Sequence, residues 1–381
     1  MNRPLNIVRI ISFLPIGGVE NTLLATLPKF DKSRFNISVC CTYRKGPVAD
    51  KLEAAGIPVH LSYVGSRLNP IHLWRLARLL KSLKTDIVHT HMYSSNITGA
   101  VAARLAGVPV IISHIHSAHE WTSQNRIWME RIVNRWRSGV IAVSQHVKNE
   151  FLKTTGLRCA EKVKVLHNIA MFAEKSARNP ALLREQLGIS PQSPVIGFVA
   201  RLVPIKGADI FLRAAQVILR ERPDARFVLV GDGKERPRLA ALARELNIAP
   251  QVIFAGEQKN VSDYYNIFDI FVLSSRSEGF GNVILEAMHH DIPVVASAVG
   301  GVPEIVLHEQ TGLLFPAENH EALAEAAAAL LSEPARAVAL VEGARNRLEH
   351  FAPEKYIKTL EQCYHQTFWS QSSKNIQTFF H

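Results

Sequence analysis

Two short stretches carry residue types that could do chemistry on a phosphorylated ligand. The first reads Ser277-Glu278-Gly279-Phe280-Gly281-Asn282-Val283-Ile284-Leu285-Glu286 and follows an apolar run at 271–273. Gly279 and Gly281 let the backbone approach a ligand closely. The helix that begins there presents free N–H groups and the positive end of its dipole, a setting that suits phosphate. Glu278 precedes this helix and Glu286 lies about a turn inside it, so the two carboxylates sit at different depths along a bound molecule. A carboxylate accepts hydrogen bonds from paired hydroxyls, and two at this spacing could grip two sugars on either side of a diphosphate. A capping glutamate followed by a solvated one is the plainer alternative. The second stretch, Val199-Ala200-Arg201-Leu202-Val203-Pro204-Ile205-Lys206-Gly207, also leaves a strand. Arg201 offers a fork and Lys206 a point charge where a diphosphate would want cations. Two solvated surface bases are the alternative there.

The elements that position these residues repeat along the chain. Apolar runs at 7–14, 36–42, 59–63, 86–90, 108–113 and 140–144 read as strands, with helical patterns between several of them, including one around 96–106. The pattern restarts with runs at 195–200, 226–231, 252–255, 270–273 and 293–297. Strand–helix alternation at this spacing means βαβ units and parallel sheets. Residues 173–194 are polar, hold three prolines and read as a linker. The expected fold class is α/β, with two doubly wound Rossmann-like domains facing across a cleft and ligands at the carboxyl ends of the strands. The expected boundaries are an N-terminal domain over 1–170 and a C-terminal domain over 171–352. A final amphipathic helix from 353 to about 369 is expected to cross back to the first domain, ahead of a frayed tail at 371–381.

The 381 residues are 47% apolar and 20% charged, which excludes a largely disordered chain. The net charge of +11 is unevenly placed: residues 1–170 hold 23 Lys/Arg against 9 Asp/Glu, the rest 21 against 24. The N-terminal half should therefore meet something anionic. Trp74, Arg75, Arg78, Lys81 and Lys84 recur along one helical pattern; Arg126, Trp128, Arg131, Arg135, Trp136 and Arg137 occupy another. An apolar stripe with tryptophan flanked by arginine describes a helix lying in a membrane interface, although the same helix can pack one face onto a sheet. The four cysteines have neither metal-ligand nor redox spacing. Arg9 interrupts the short apolar stretch at the N-terminus, which reads as a strand rather than a leader. No apolar run approaches the ~18 residues needed to span a bilayer. The expected location is cytoplasmic, peripheral at the inner face of the cell membrane. No nucleic-acid module is evident.

Order and spacing add a further layer. The chain resembles the retaining nucleotide-sugar glycosyltransferases of family 4, which have the GT-B fold. The markers are Gly17-Gly18-Val19-Glu20, Asp86-Ile87-Val88-His89-Thr90-His91, Val143-Ser144, Arg201 with Lys206-Gly207, Val230-Gly231-Asp232-Gly233, the Glu278/Glu286 pair, Gly300-Gly301-Val302-Pro303-Glu304 and Thr311-Gly312-Leu313-Leu314. The resemblance implies that Arg201 and Lys206 bind the diphosphate and that Glu286 takes the ribose hydroxyls. Glu278, with the backbone of Gly279, Phe280, Gly281 and Asn282 and on to Val283, would hold the transferred sugar. Gly17 and Gly18 would let a loop close on the diphosphate. The base would lie against 256–259, at Lys259.

The resemblance also implies a sugar-side histidine from the first domain, His116 in first place and His114 in second; a satisfied structural histidine is the alternative for either. It implies retention of configuration with neither metal nor cofactor, because Arg201, Lys206 and the helix dipole neutralise the leaving group. UDP is the first expectation for the donor nucleotide and GDP the second. The expected acceptor is a glycan or lipid-linked molecule of cell-surface polysaccharide or lipopolysaccharide synthesis. The chain departs from the family at His167-Asn168-Ile169-Ala170, where a glycine commonly follows the asparagine. Two other readings remain open on sequence: a different GT-B enzyme (a sugar-nucleotide epimerase or a phosphorylase) and a non-catalytic basic protein that binds membranes.

Overall fold

The computed structural model describes residues 3–15, 17–64, 69–170, 176 and 178–378, with side chains through Ser370. The chain divides into two compact units, one made of Met1–Ile169 with Pro353–His381, the other of Ala170–Ala352.

The first unit holds a seven-stranded sheet of β1 (Leu5–Ile11), β2 (Phe35–Cys41), β3 (Val59–Leu61), β4 (Ile87–His91), β5 (Val110–Ile115), β6 (Gly139–Ala142) and β7 (Val163–Val165) in the order β3-β2-β1-β4-β5-β6-β7. Every pairing is parallel. Helices cover both faces of such a sheet, so its central strands are buried on both sides. All five residues of β4 and all six of β5 are buried. So is Arg9, in the middle of β1, at 1% exposure. The helix Pro353–Thr378 belongs to this unit and places Tyr364 within 6.2 Å of the rings of Phe30 and Phe35.

The second unit holds a six-stranded parallel sheet of β8 (Val195–Val199), β9 (Arg226–Val230), β10 (Val252–Gly256), β11 (Ile270–Leu273), β12 (Val294–Ser297) and β13 (Leu313–Phe315), in the order β10-β9-β8-β11-β12-β13. Its core is aromatic: Phe211 of the helix Ala208–Ile218 packs 5.4 Å from Phe198 and 5.8 Å from Phe227. In each sheet the order reverses beside the first strand, between β1 and β4 and between β8 and β11. Ligands of doubly wound sheets bind outside the carboxyl ends at such points.

Three details differ from the sequence reading. The edge strands β7 and β13, each three residues long, were not expected. The expected linker at 173–194 contains a helix, Pro180–Gln186, capped by the Asn179 side chain and started by a proline. Residues 173–175 and 177 of that linker lie outside the described residues. The final helix continues to Thr378, where a frayed tail was expected from 371; residues 379–381 lie outside the described residues.

Candidate active site

The loops that leave β8, β11 and β12 touch backbone to backbone. Gly207 has φ +64, and a Cβ on it would lie 1.9 Å from the Ser274 carbonyl oxygen. Gly300 has φ +57, and a Cβ there would lie 1.8 Å from the Glu278 carbonyl oxygen. Only glycine fits either position. The Ser274 hydroxyl donates to the Gly207 carbonyl at 2.8 Å, and the Leu202 N–H bonds the Asp232 carbonyl at 2.9 Å, tying in the loop after β9.

This stitching brings two of the expected residues into contact. Lys206 Nζ lies 2.6 Å from Glu278 Oε1, and the Ser275 hydroxyl donates to the same oxygen at 2.7 Å. The Glu278 side chain is only 9% exposed and that of Lys206 22%. Arg201 is exposed and has no ion-pair partner among the described residues. The neighbouring cation Arg276 is already committed, with forked bonds to Asp209 at 2.8 and 2.9 Å and to Glu318 at 2.6 and 3.0 Å.

Glu286 sits on the helix Asn282–His289, whose N-terminus follows Gly281 at φ +108 and has no side-chain cap. The Tyr265 hydroxyl donates to Glu286 Oε2 at 3.0 Å, and the Tyr265 ring stacks on His290 at 5.1 Å. Burial raises the Glu286 pKa, and the tyrosine bond opposes that shift. Tyr265 was not found from sequence. It lies 21 positions from Glu286, and only the fold joins them. Phe280 is buried, its ring edge-on to Phe351 at 5.7 Å, so this position has only backbone to offer a ligand. Val283 is half-buried, and Lys259 is exposed in the loop after β10. A cavity of about 550 Å³ lies at the opposite ends of these strands, by Pro194, Asp269 and Pro293. In its charged lining Arg184 pairs with Asp269 and Arg345 with Asp291.

In the first unit, Gly17 precedes the uncapped start of the helix Gly18–Thr26. A Cβ on Gly17 would lie 2.6 Å from Glu20 Oε2, so the Glu20 carboxylate lies over that helix start; burial raises its pKa. At the ends of β4 and β5, His89, His91, His114 and His116 stack in two layers, with ring centroids 4.8 Å apart for His89–His91 and 4.3 Å for His114–His116. Arg9 Nε donates to His91 Nε2 at 2.9 Å, and His91 Nδ1 lies 3.0 Å from His116 Nε2. Arg9 also donates to the Tyr364 hydroxyl at 2.8 Å, itself 2.7 Å from His89 Nδ1. Burial, and then the charge of Arg9, push His116 down to about 3. Burial foremost and Arg9 also hold His89, His91 and His114 well below the ordinary histidine value. Met92, the next residue after β4, has φ +62, a strained position for a non-glycine.

Nitrogens of His89, His91 and His114 lie within 4.8 Å of one another, close enough for a metal. The donor set does not suit one. His91 has both nitrogens engaged, Nε2 by the buried Arg9 guanidinium and Nδ1 by His116, which leaves His89 Nε2 and the His114 nitrogens beside a fixed positive charge. Glu120 is a further group that sequence reading missed. Burial, with the charge of Glu130 adding, pushes its carboxyl up to about 8.

The basic helical patterns need correction. The helix Gln124–Val133 ends before Trp136, which is half-buried. Arg137 was expected on the surface, but its side chain is 0% exposed and pairs with Glu130, a buried carboxylate that needs a counterion. Arg126 lies over the Tyr93 ring at 4.8 Å. Trp128 remains 61% exposed, with Arg131 and Arg135 exposed beside it. The helix Pro70–Ser82 shows Ile71 and Trp74 at 61% and 58%, with Arg75, Arg78 and Lys81 exposed and Arg78 over the Trp74 ring at 5.5 Å. Both helices pack on Met92–Ala106.

Two parallel Rossmann-like sheets, with glycine-tied strand ends that bring a lysine onto a glutamate, define the GT-B class. The family model described as "Glycosyltransferase Family 4" matches residues 16–169, and that described as "Glycosyl transferases group 1" matches 181–347. The chain is 30% identical to N-acetyl-alpha-D-glucosaminyl L-malate synthase of Bacillus anthracis, over 79% of this chain and 80% of that one. It is 29% identical to the Escherichia coli UDP-Gal:alpha-D-GlcNAc-diphosphoundecaprenol alpha-1,3-galactosyltransferase, over 80% of this chain and 82% of that one. Anabaena HepE, solved in complex with UDP-glucose, superposes with a TM-score of 0.81 at 25% identity, covering 96% of this chain and 100% of that one. The chain belongs to the family 4 glycosyltransferases and is an enzyme of sugar transfer. No helix among the described residues is long and apolar enough to cross a membrane.

Proposed function

We propose that the protein moves a sugar, with retention, from a UDP-sugar to a hydroxyl of a lipid-linked glycan acceptor at a membrane surface. The observation that carries this reading is the contact of Lys206 with Glu278 at the carboxyl ends of β8 and β11, one helix start away from Glu286. Lys206 and Arg201 hold the diphosphate, and the uncapped start of Asn282–His289 adds its N–H groups. Glu286, oriented by Tyr265, accepts from the ribose hydroxyls. Glu278 and the backbone of 279–283 hold the transferred sugar. The bond from the anomeric carbon to the phosphate oxygen breaks as a bond to the acceptor oxygen forms on the same face. The acceptor proton passes to the departing phosphate oxygen, and the cations stabilise the charge that develops there.

The base and the acceptor draw support from relatives: HepE is described with UDP-glucose, and the E. coli relative is named for a diphosphoundecaprenol acceptor. Calorimetry with UDP and GDP tests the donor side. UDP should bind the tighter, and Tyr265→Phe should weaken it by about 3- to 10-fold, the worth of one hydrogen bond. Failure of both nucleotides to bind at millimolar concentration overturns the assignment.

The exposed Trp74 and Trp128, each flanked by arginines on helices that pack on a common neighbour, favour docking on anionic lipid. Co-sedimentation should rise with the fraction of anionic lipid in the vesicles. Charge reversal of Arg75, Arg78, Arg131 and Arg135 should reduce it at least tenfold, at about 1 kcal/mol per basic residue. Binding that ignores lipid charge counts against a membrane role.

A further inference from the structure

The buried hydrogen bonds around Arg9 have a direction, and it can be followed atom by atom. A guanidinium has only donors. His91 Nε2, 2.9 Å from Arg9 Nε, must therefore accept, and the proton of a neutral His91 lies on Nδ1. That Nδ1–H faces His116 Nε2 at 3.0 Å, so His116 accepts there and keeps its own proton on Nδ1. His116 Nδ1 is buried and has no partner among the described residues. It is a donor without an acceptor, at the carboxyl end of β5. The same logic runs through Tyr364: its oxygen accepts from Arg9 and its hydrogen is left for His89 Nδ1. Arg9 has no carboxylate partner among the described residues; its bonds go to neutral groups, His91 and Tyr364, with Tyr356 also facing the guanidinium.

We propose that Arg9 is a positioning residue that fixes His116, through His91, as the Nδ1–H tautomer, so that His116 gives the substrate a hydrogen-bond donor and takes no proton from it. The natural acceptor is a hydroxyl oxygen of a sugar; that part rests on the glycosyltransferase reading above. The relay itself does not.

Long-range proton–nitrogen correlation spectra of the full chain with labelled histidine identify which nitrogen of each ring carries the proton. His116 should be protonated at Nδ1 in the free protein, as should His91. Arg9→Met should release both rings into a tautomer mixture. The double variant Arg9→Met/His91→Asn restores the donor, because an asparagine amide places an N–H where His91 Nδ1 stood; His116 should return to Nδ1–H. Turnover should follow, with kcat falling about tenfold in Arg9→Met and recovering in the double variant. A wild-type His116 protonated at Nε2 overturns the proposal without any variant having to fold. If the spectra agree but turnover does not follow the tautomer, the relay is structural and the assignment of His116 to the substrate is lost.

Discussion

Lys206→Ala should lower kcat/KM by about 10²- to 10³-fold, the cost of losing one preorganised group that meets charge developing in the transition state. The structure adds a second consequence. Lys206 is the counter-ion of Glu278, whose side chain is only 9% exposed. Removing the lysine leaves that carboxylate with the Ser275 hydroxyl as its remaining partner among the described residues. A stranded carboxylate at partial burial costs about 1–3 kcal/mol, roughly 2–10 °C in the melting temperature of a unit this size. The two effects separate in a double variant. Lys206→Ala/Glu278→Gln removes the stranded charge, so the melting temperature should recover while the activity does not. Steady-state kinetics and a thermal melt on the four proteins of this cycle give both answers. A lysine variant with near wild-type turnover removes Lys206 from the chemistry; unchanged thermal stability shows that Glu278 does not depend on its partner.

Arg201, Lys206 and Glu278, proposed for the donor side, were legible in the sequence because each lies next to a glycine or a strand end, and Glu286 because it follows Glu278 within the same ten residues. The tie between Tyr265 and Glu286 was not, since neither residue is unusual in its own segment and only the closing of the sheet joins them. The strands were legible for the same reason as the fold class: buried parallel strands leave apolar runs, whereas the edge Val163–Val165, with Lys164 at its centre, does not. Arg137 misled because an arginine in a basic run looks solvated, and Glu130, its buried partner seven positions earlier, is visible only in three dimensions. Arg9 shows the opposite failure. An arginine inside Leu5–Ile11 was the plainest anomaly in the first strand. Read for what it excluded, a leader, it concealed what it required: acceptors on β4 and on a helix more than 350 positions away.

That same cluster should make the first unit acid-labile. His89, His91, His114 and His116 are held neutral in the folded chain by burial and by Arg9, with Tyr356 and Tyr364 also facing the guanidinium. In the unfolded chain each titrates near 6.5. Below that value the unfolded state binds the extra protons, so stability is complete above about pH 6.5 and falls as pH falls. Each histidine contributes a slope of about 1.4 kcal/mol per pH unit, and the loss for His116 ends near its folded value of about 3. Four together approach about 5 kcal/mol per unit, which would exhaust a typical stability of about 5–15 kcal/mol within two or three pH units. Glu120 acts at the other end. Its carboxyl, raised to about 8, keeps its proton when folded, so its contribution is complete below the ordinary carboxyl value of 4.5 and is lost as pH rises through 8. All five tryptophans, at 74, 121, 128, 136 and 369, lie in the first unit, so intrinsic fluorescence reports its unfolding alone. Denaturation followed this way should show unfolding that begins near pH 5 and takes up three to four protons. His114→Phe is the sharpest variant, because both nitrogens of His114 lack partners among the described residues. It should remove one proton from the slope and stabilise the unit at pH 5, while Glu120→Gln should remove the loss of stability that Glu120 contributes between about pH 4.5 and pH 8. Uptake of one proton or fewer, or an acid transition that His114→Phe leaves in place, would show that the imidazoles are hydrated and charged in the folded protein.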